Sequence, residues 1–276
     1  MAIQKMTKIT MPINGLSRFN GLSVVNIELT SRCNKECWMC GRRKLEKLQL
    51  TDWGDMELEM AIDLASQIPD DIIVQFHSNG EPLLYPYLSV FKAYKDKIRC
   101  LDTNAKLLLE KADDIIENVE TLTISVVEND PEGDEQYEIV KKFLRYKKAR
   151  PPFVVYRMLG TVANIAKWHD LPGLVITRIL HNPMGSYGYE KKVTIPEHGI
   201  CLDLLNHLVI DRYGDVYTCV RFNPNKYNKL GNIKELTLAE MWNGKIRKKL
   251  IREHMKGNRN CSELCSKCEF YGVPTS

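Results

Sequence analysis

The sequence is 276 residues long, 44% apolar and 27% charged, which suits one soluble α/β unit with a small appendage or two modest domains. A formal net charge of +4 is slight for a dedicated nucleic-acid binder, while an anionic substrate is compatible with it. No run of ~18 or more apolar residues is present to cross a membrane. The opening stretch, broken by Lys8, Pro12 and Gly15, lacks the apolar core of a signal peptide, so a cytoplasmic location is expected.

Short β-rich runs alternate with helical patterns from about residue 23 to 180. Strands are expected over Ser23–Thr30, Asp71–His77, Ile98–Thr103, Thr121–Val127, Phe153–Leu159 and Leu174–Leu180. Helical spacing falls between them, over Met56–Ile68, Tyr87–Lys95, Leu107–Val119, Asp134–Ala149 and Val162–His169. Such alternation makes successive βαβ units and a parallel sheet. Six units are too few to close an eight-stranded barrel, so an open curved sheet and a flat doubly wound sheet both fit the pattern. In either case ligands belong at the C-terminal ends of the strands.

After Pro196 the texture changes. His207–Arg212 and Asp215–Val220 flank Tyr213-Gly214 as a hairpin, Leu236–Met255 reads as an amphipathic helix interrupted at Asn243-Gly244, and a Cys-rich tail follows. The domain boundary is therefore expected near residue 195, giving units 1–195 and 196–276.

Nine cysteines in a chain with no export signal point to metal or redox chemistry rather than disulfides. Three lie within Cys33-Asn34-Lys35-Glu36-Cys37-Trp38-Met39-Cys40, directly after the first strand, and five lie between Cys201 and Cys268. Three thiolates this close suit three corners of a cubane cluster with one iron left open. Structural zinc wants four protein ligands, and no fourth Cys or His is near, although a zinc or redox-inert cluster stays open on this motif alone.

The C-x3-C-x2-C spacing, its place after strand one and the leader Ile27-Glu28-Leu29-Thr30 resemble the radical S-adenosylmethionine superfamily. Downstream, Asn79-Gly80-Glu81-Pro82 is similar to that family's Gly-Gly-Glu-Pro loop, Thr103-Asn104-Ala105 to its Thr-Asn-Gly, and Ile124-Ser125 to its Ile-Ser segment. The resemblance implies a partial (β/α)6 barrel and a [4Fe–4S] cluster on Cys33, Cys37 and Cys40. The open iron would chelate S-adenosylmethionine, whose reductive cleavage releases a hydrogen-abstracting 5′-deoxyadenosyl radical. It further implies cofactor contacts from Met39, Asn79, Gly80, Glu81, Thr103, Asn104 and Ser125. Glu81 would suit the methionine ammonium. Arg157 or Arg178 would clamp the methionine carboxylate or an anionic substrate group. His77, just before the loop, reads as a rim residue.

The tail, C-x12-G-x4-C from Cys201 through Gly214 to Cys219 followed by Cys261, Cys265 and Cys268, resembles the SPASM extension or its shortened twitch form. Lys229–Ile233, Met241–Asn243 and Cys268–Gly272 carry the likeness further. It implies a second [4Fe–4S] cluster on Cys201, Cys219, Cys265 and Cys268, with Cys261 spare; a zinc ribbon is the alternative. A second cluster would accept the electron of a substrate radical, so net oxidation of a small molecule or peptide is expected, with flavodoxin or ferredoxin as electron donor. Modification of a nucleotide or nucleic acid is the alternative enzymatic reading, and an iron–sulfur carrier or assembly protein the non-enzymatic one. The catalytic residue is not legible; substrate contacts are expected from the loops 42–53 and 182–192.

Overall fold

The computed structural model describes residues 18–50, 52–178, 200–221, 223–266 and 268, so the expected boundary near 195 and the loop 182–192 lie outside the described residues. Among the described residues nine strands form one sheet: β1 (Val24–Ile27), β2 (Ile73–Phe76), β3 (Ile98–Thr103), β4 (Thr121–Val127), β5 (Phe153–Leu159), β6 (Leu174–Arg178), β7 (His207–Ile210), β8 (Asp215–Tyr217) and β9 (Lys229–Asn232). Their spatial order is β6-β5-β4-β3-β2-β1-β7-β8-β9, and all pairs from β6 to β7 are parallel. Strands one to six follow one another without the reversal of order that a doubly wound sheet requires. The flat alternative is thereby excluded, and the partial barrel stands.

The strands bury one face against helices. Val25, Ile27, Val74, Phe76, Leu101, Leu122, Ile124, Tyr156 and Met158 alternate along their strands and are almost wholly buried. The opposite face carries Asn26, Glu28, Gln75, His77, Asp102, Thr123, Ser125 and Arg157, a polar row that no soluble core would tolerate without function or internal pairing.

The α-helices among the described residues are α1 (Arg42–Lys47), α2 (Leu58–Gln67), α3 (Ala112–Ile115), α4 (Gly133–Lys147), α5 (Ala166–His169), α6 (Leu202–Asn206), α7 (Leu238–Trp242), α8 (Lys245–Met255) and α9 (Glu263–Ser266). Two expected helices shrink to single turns. Glu117, at φ +65°, stops the segment from 107 to 119, and Asn164, at φ +52°, delays the start of α5. The expected helix at 87–95 winds as a 3-10 helix over Leu88–Tyr94. Its period of three stacks Leu88, Phe91 and Tyr94 on one buried side, where Phe76 meets Phe91 and Tyr94 at ring separations of 4.9 and 5.2 Å.

The C-terminal unit differs more from expectation. The hairpin β7–β8 forms, with Gly214 in the left-handed region at φ +84°. However, β7 also runs parallel to β1, in the register Val24↔His207 to Ile27↔Ile210, and β9 adds a strand that the periodicity hid. The 196–276 segment thus continues the barrel sheet. The interrupted helix is found as α7 and α8. Thr237 and Glu240 close a capping box at its start, and Gly244 breaks it where a Cβ would come within 3.0 Å of two carbonyls.

Trp168 on α5 is 1% exposed and packs against Tyr137 and Tyr156 at 5.2 and 5.3 Å. Trp168→Ala should remove about 3–5 kcal/mol of stability, read as a lower urea midpoint at an unchanged slope.

Candidate functional site

The C-x3-C-x2-C loop leaves β1 and turns beneath the ends of β2 and β3. Cys33, Cys37 and Cys40 are each partly buried and close enough to raise one another electrostatically. Burial pushes the Cys33 and Cys40 thiols up and drives Cys37 up to about 12. Such thiols stay protonated until a metal displaces the proton. Opposing that burial is the buried Arg42, whose charge draws Cys33 and Cys40 back toward thiolate. Arg42 donates to the Ser31 carbonyl and, at 3.3 Å, to the Asn79 carbonyl, and it stacks 3.9 Å from the Trp53 ring centroid. Nothing in the local spacing marked it as a site residue. Lys35, paired with Asp130 in a buried ion pair, and Trp38, donating to the Glu128 carbonyl, hold the rest of the loop.

The loop after β2 is pressed onto this one. A Cβ on Gly80 would lie 2.0 Å from the Thr30 carbonyl oxygen and 2.8 Å from that of Arg32, so only glycine fits. Asn79 donates its backbone and side-chain N–H to Glu28 at 3.2 and 3.0 Å. Glu81 turns its carboxylate inward, 2% exposed, and accepts from Thr103 Oγ1 at 2.7 Å, Asn104 N at 2.7 Å and Leu83 N at 3.1 Å. Burial pushes Glu81 up to about 7 while these donors pull it back. It ties the ends of β2 and β3 together rather than standing free in a pocket. Asn104 completes the junction: its Nδ2 reaches Asn34 Oδ1 at 2.8 Å and the Cys33 sulfur at 3.9 Å.

Met39 is half-buried in the cluster loop, and Ser125 lies beside Arg157 in the β4–β5 register. Arg157 donates to Asp102 at 2.6 Å, and Asp102 also takes Gln75 Nε2 at 3.3 Å and faces His77 at 4.0 Å. The Arg157 Nε is buried without a partner among the described residues. Burial, then the Arg157 charge, lowers Arg178 to about 10, so these two guanidiniums share one region of the barrel. Asp102, which the sequence did not single out, is therefore the hub of the polar row.

A second centre lies beyond β7. Cys201, Cys219, Cys265 and Cys268 line one small pocket together with Leu204, Asn228, Leu250, His254 and Leu264. Burial pushes Cys219 up strongly and Cys265 up to about 11. Cys261 is outside that lining, yet near enough to Cys265 to act on its charge. Arg259 donates to the carbonyls of Cys265 and Cys268 and so shapes the loop that carries them.

Between the two centres opens a cavity of about 730 Å³. Cys40 lines it on one side and Cys219 on the other, with Glu28, His77, Asp211, Arg212, Tyr217, Arg221 and Lys226 among its walls. From the 42–53 segment, Leu45, Gln49, Leu50, Asp52 and Trp53 line the same cavity. No trio of His, Cys, Asp or Glu among the described residues closes to a single-ion arrangement. The donor sets are instead thiols, three in one loop and four lining one pocket, the ligand type and number that iron–sulfur clusters take.

A partial barrel with three cysteines after its first strand, backed by a four-cysteine pocket, is the arrangement that the resemblance to radical S-adenosylmethionine enzymes with an auxiliary iron–sulfur domain implies. Residues 201–269 match the SPASM family, an iron–sulfur cluster-binding domain. The chain is 24% identical over 269 residues to the S-adenosyl-L-methionine-dependent 2-deoxy-scyllo-inosamine dehydrogenase of Niallia circulans, covering 92% of this chain and 95% of that one. Its fold is similar to BtrN in complex with AdoMet and 2-DOIA (TM-score 0.59, 17% identity, 90% and 92% of the two chains). It is likewise similar to Streptococcus suis SuiB bound to S-adenosylmethionine (TM-score 0.63, 14% identity, 92% and 74%). The chain therefore carries a SPASM iron–sulfur cluster-binding domain over residues 201–269 and is similar along nearly its whole length to an S-adenosyl-L-methionine-dependent dehydrogenase. Among the described residues no helix is long and apolar enough to cross a membrane.

Gly80→Ala should cost about 1–3 kcal/mol or more, because the atoms it meets are backbone that cannot rotate away; a lowered thermal midpoint checks this. Asp211 yields a pH test. Burial, with the charges of Asp215 and Glu28, raises it to about 6. The folded chain then holds a proton that the unfolded chain releases, so this group withdraws stability as pH rises from about 4 to about 6. Asp211→Asn keeps an oxygen for the Tyr213 and Asp215 amides, both at 3.0 Å. Urea unfolding should show the variant gaining on the wild type across that window.

Proposed function

We propose that the chain holds two [4Fe–4S] clusters, one on Cys33, Cys37 and Cys40 and one on Cys201, Cys219, Cys265 and Cys268, and dehydrogenates a small hydroxyl-bearing substrate between them. The single observation that carries this reading is the shared cavity, walled by Cys40 and by Cys219. At about 730 Å³ it falls within the size range of small-molecule sites, roughly 300–1,000 Å³, which favours a compact substrate over a long peptide. The 2-deoxy-scyllo-inosamine dehydrogenase, similar over nearly its whole length, supports the same reaction class.

When bound, S-adenosylmethionine and the two clusters supply the radical that takes a hydrogen atom from carbon and the acceptor for the remaining electron. The chain's own residues do the rest. Gly80 lets the loop carrying Asn79 approach the cluster loop, Glu81 fixes Thr103 and Asn104 in the rim, and Arg42 offsets the charge of the first centre. Ser125, Arg157 and Arg178 would orient the polar ends of S-adenosylmethionine or substrate from the barrel side, with Met39 beside the adenine. Glu28 and Asp211 offer carboxylates to the cavity that can receive the hydroxyl proton. The reaction then removes one hydrogen atom, one proton and one electron, leaving a carbonyl. Units 1–195 and 196–276 divide these tasks as radical-generating and electron-accepting parts, in the cytoplasm, served by a flavodoxin or ferredoxin donor.

Anaerobic reconstitution should give about eight irons per chain. Cys33→Ala, Cys37→Ala or Cys40→Ala should abolish release of 5′-deoxyadenosine, whereas Cys265→Ala should retain it with about four irons. Wild-type protein that is reduced, fully loaded and yet makes no 5′-deoxyadenosine would sink the proposal.

A further inference from the structure

We propose that the side-chain amide of Asn228 is a hydrogen-bond donor to the Cys265 sulfur that raises the reduction potential of the auxiliary cluster. The inference rests on the proposed second cluster and adds a residue that tunes it.

Asn228 Nδ2 lies 3.6 Å from Cys265 Sγ, and Asn228 lines the pocket formed by Cys201, Cys219, Cys265 and Cys268. It is delivered there by a fixed turn. Asn223 grips Tyr227 twice, accepting from its backbone N–H at 2.8 Å and donating to its carbonyl at 2.7 Å. Asn228 itself has φ +58°, the left-handed conformation that asparagine tolerates better than most residues. From that backbone β9 begins at Lys229, so the sheet edge fixes where the Asn228 backbone sits relative to the pocket. The Arg221 backbone N–H points at Cys219 Sγ from 3.5 Å, a second donor to the same centre. Asp203, whose Oδ2 is 3.8 Å from that sulfur, acts in the opposite sense.

Reduction of a cluster by one electron increases the negative charge on its thiolates. A donor N–H stabilises the reduced form more than the oxidised one, and hydrogen bonds to sulfur are among the factors that set cluster potential. A higher potential makes the centre a better acceptor for an electron leaving a substrate radical. A purely structural Asn228 would serve only the turn, and glycine would serve the turn as well or better.

The experiment is an EPR-monitored redox titration of reconstituted full-length protein without substrate, comparing wild type, Asn228→Gly and Asn228→Asp. Glycine keeps the backbone and deletes the donor; aspartate keeps the shape and puts an acceptor against the sulfur. The auxiliary midpoint should fall in both, further in Asn228→Asp, by about a tenfold change in the one-electron equilibrium, or about 59 mV. The first cluster, untouched by the change, is the internal control and should not move. Two clusters in all three proteins with one unchanged auxiliary midpoint would overturn the role of Asn228. A wild type with about four irons and a single cluster signal would overturn the second cluster itself, and this inference with it. If Asn228→Asp loses its second cluster, the Asn228→Gly midpoint decides alone.

Discussion

Everything distinctive about this chain depends on β1 having two parallel neighbours. It pairs with β2 on one side and with β7 on the other, residue for residue over Val24 to Ile27. Parallel pairing puts the C-terminal ends of β1 and β7 at the same edge of the sheet. The cluster loop leaves one of those ends and Asp211 leaves the other, so Cys40 and Asp211, from the two halves of the sequence, line one cavity. Were β7–β9 a separate sheet, nothing would fix the distance between the two cysteine centres. The buried apolar side chains of Val25 and Ile27 hold this central strand in register, because a slip by one residue would exchange them with Asn26 and Glu28.

The second constraint is polar. Glu81 gathers three donors from two loops, and Asn104 extends that junction to Asn34 and the Cys33 sulfur. A buried carboxylate so fully engaged is rigid, and rigidity is what a loop carrying cluster ligands needs. On the barrel face, Asp102 does the same for Gln75 and Arg157.

Much of this was legible in the sequence, for definite reasons. Strands β3, β4 and β5 fall at the expected residues because their alternation is clean and their flanks are polar. The cysteines were legible because thiols are rare enough that spacing carries information. Four of them, Cys201, Cys219, Cys265 and Cys268, do meet in one pocket. What stayed hidden was non-local. Pairing of β7 with β1 joins residues some 180 positions apart, and no local pattern encodes it. Strand β9, Lys229–Asn232, contains a glycine and two polar residues and acquires its conformation from β8. Arg42 was placed only within the 42–53 loop, yet it is 5% exposed and its charge acts on Cys33 and Cys40. Glu81 was legible as a motif residue, but the inward turn of its carboxylate follows from Thr103 and Asn104 on another strand.

The buried cysteines also bear on how the protein matures. A protonated thiol in an apolar wall behaves as a small hydrophobic side chain. The core that includes Ile27, Phe76, Leu122, Tyr156 and Trp242 contains no cysteine. Packing of that core thus uses no sulfur ligand, unlike a zinc finger, whose folding and metal binding are one event. On the proposed function, protons would leave these raised thiols as the clusters enter, so cluster loading would acidify the medium.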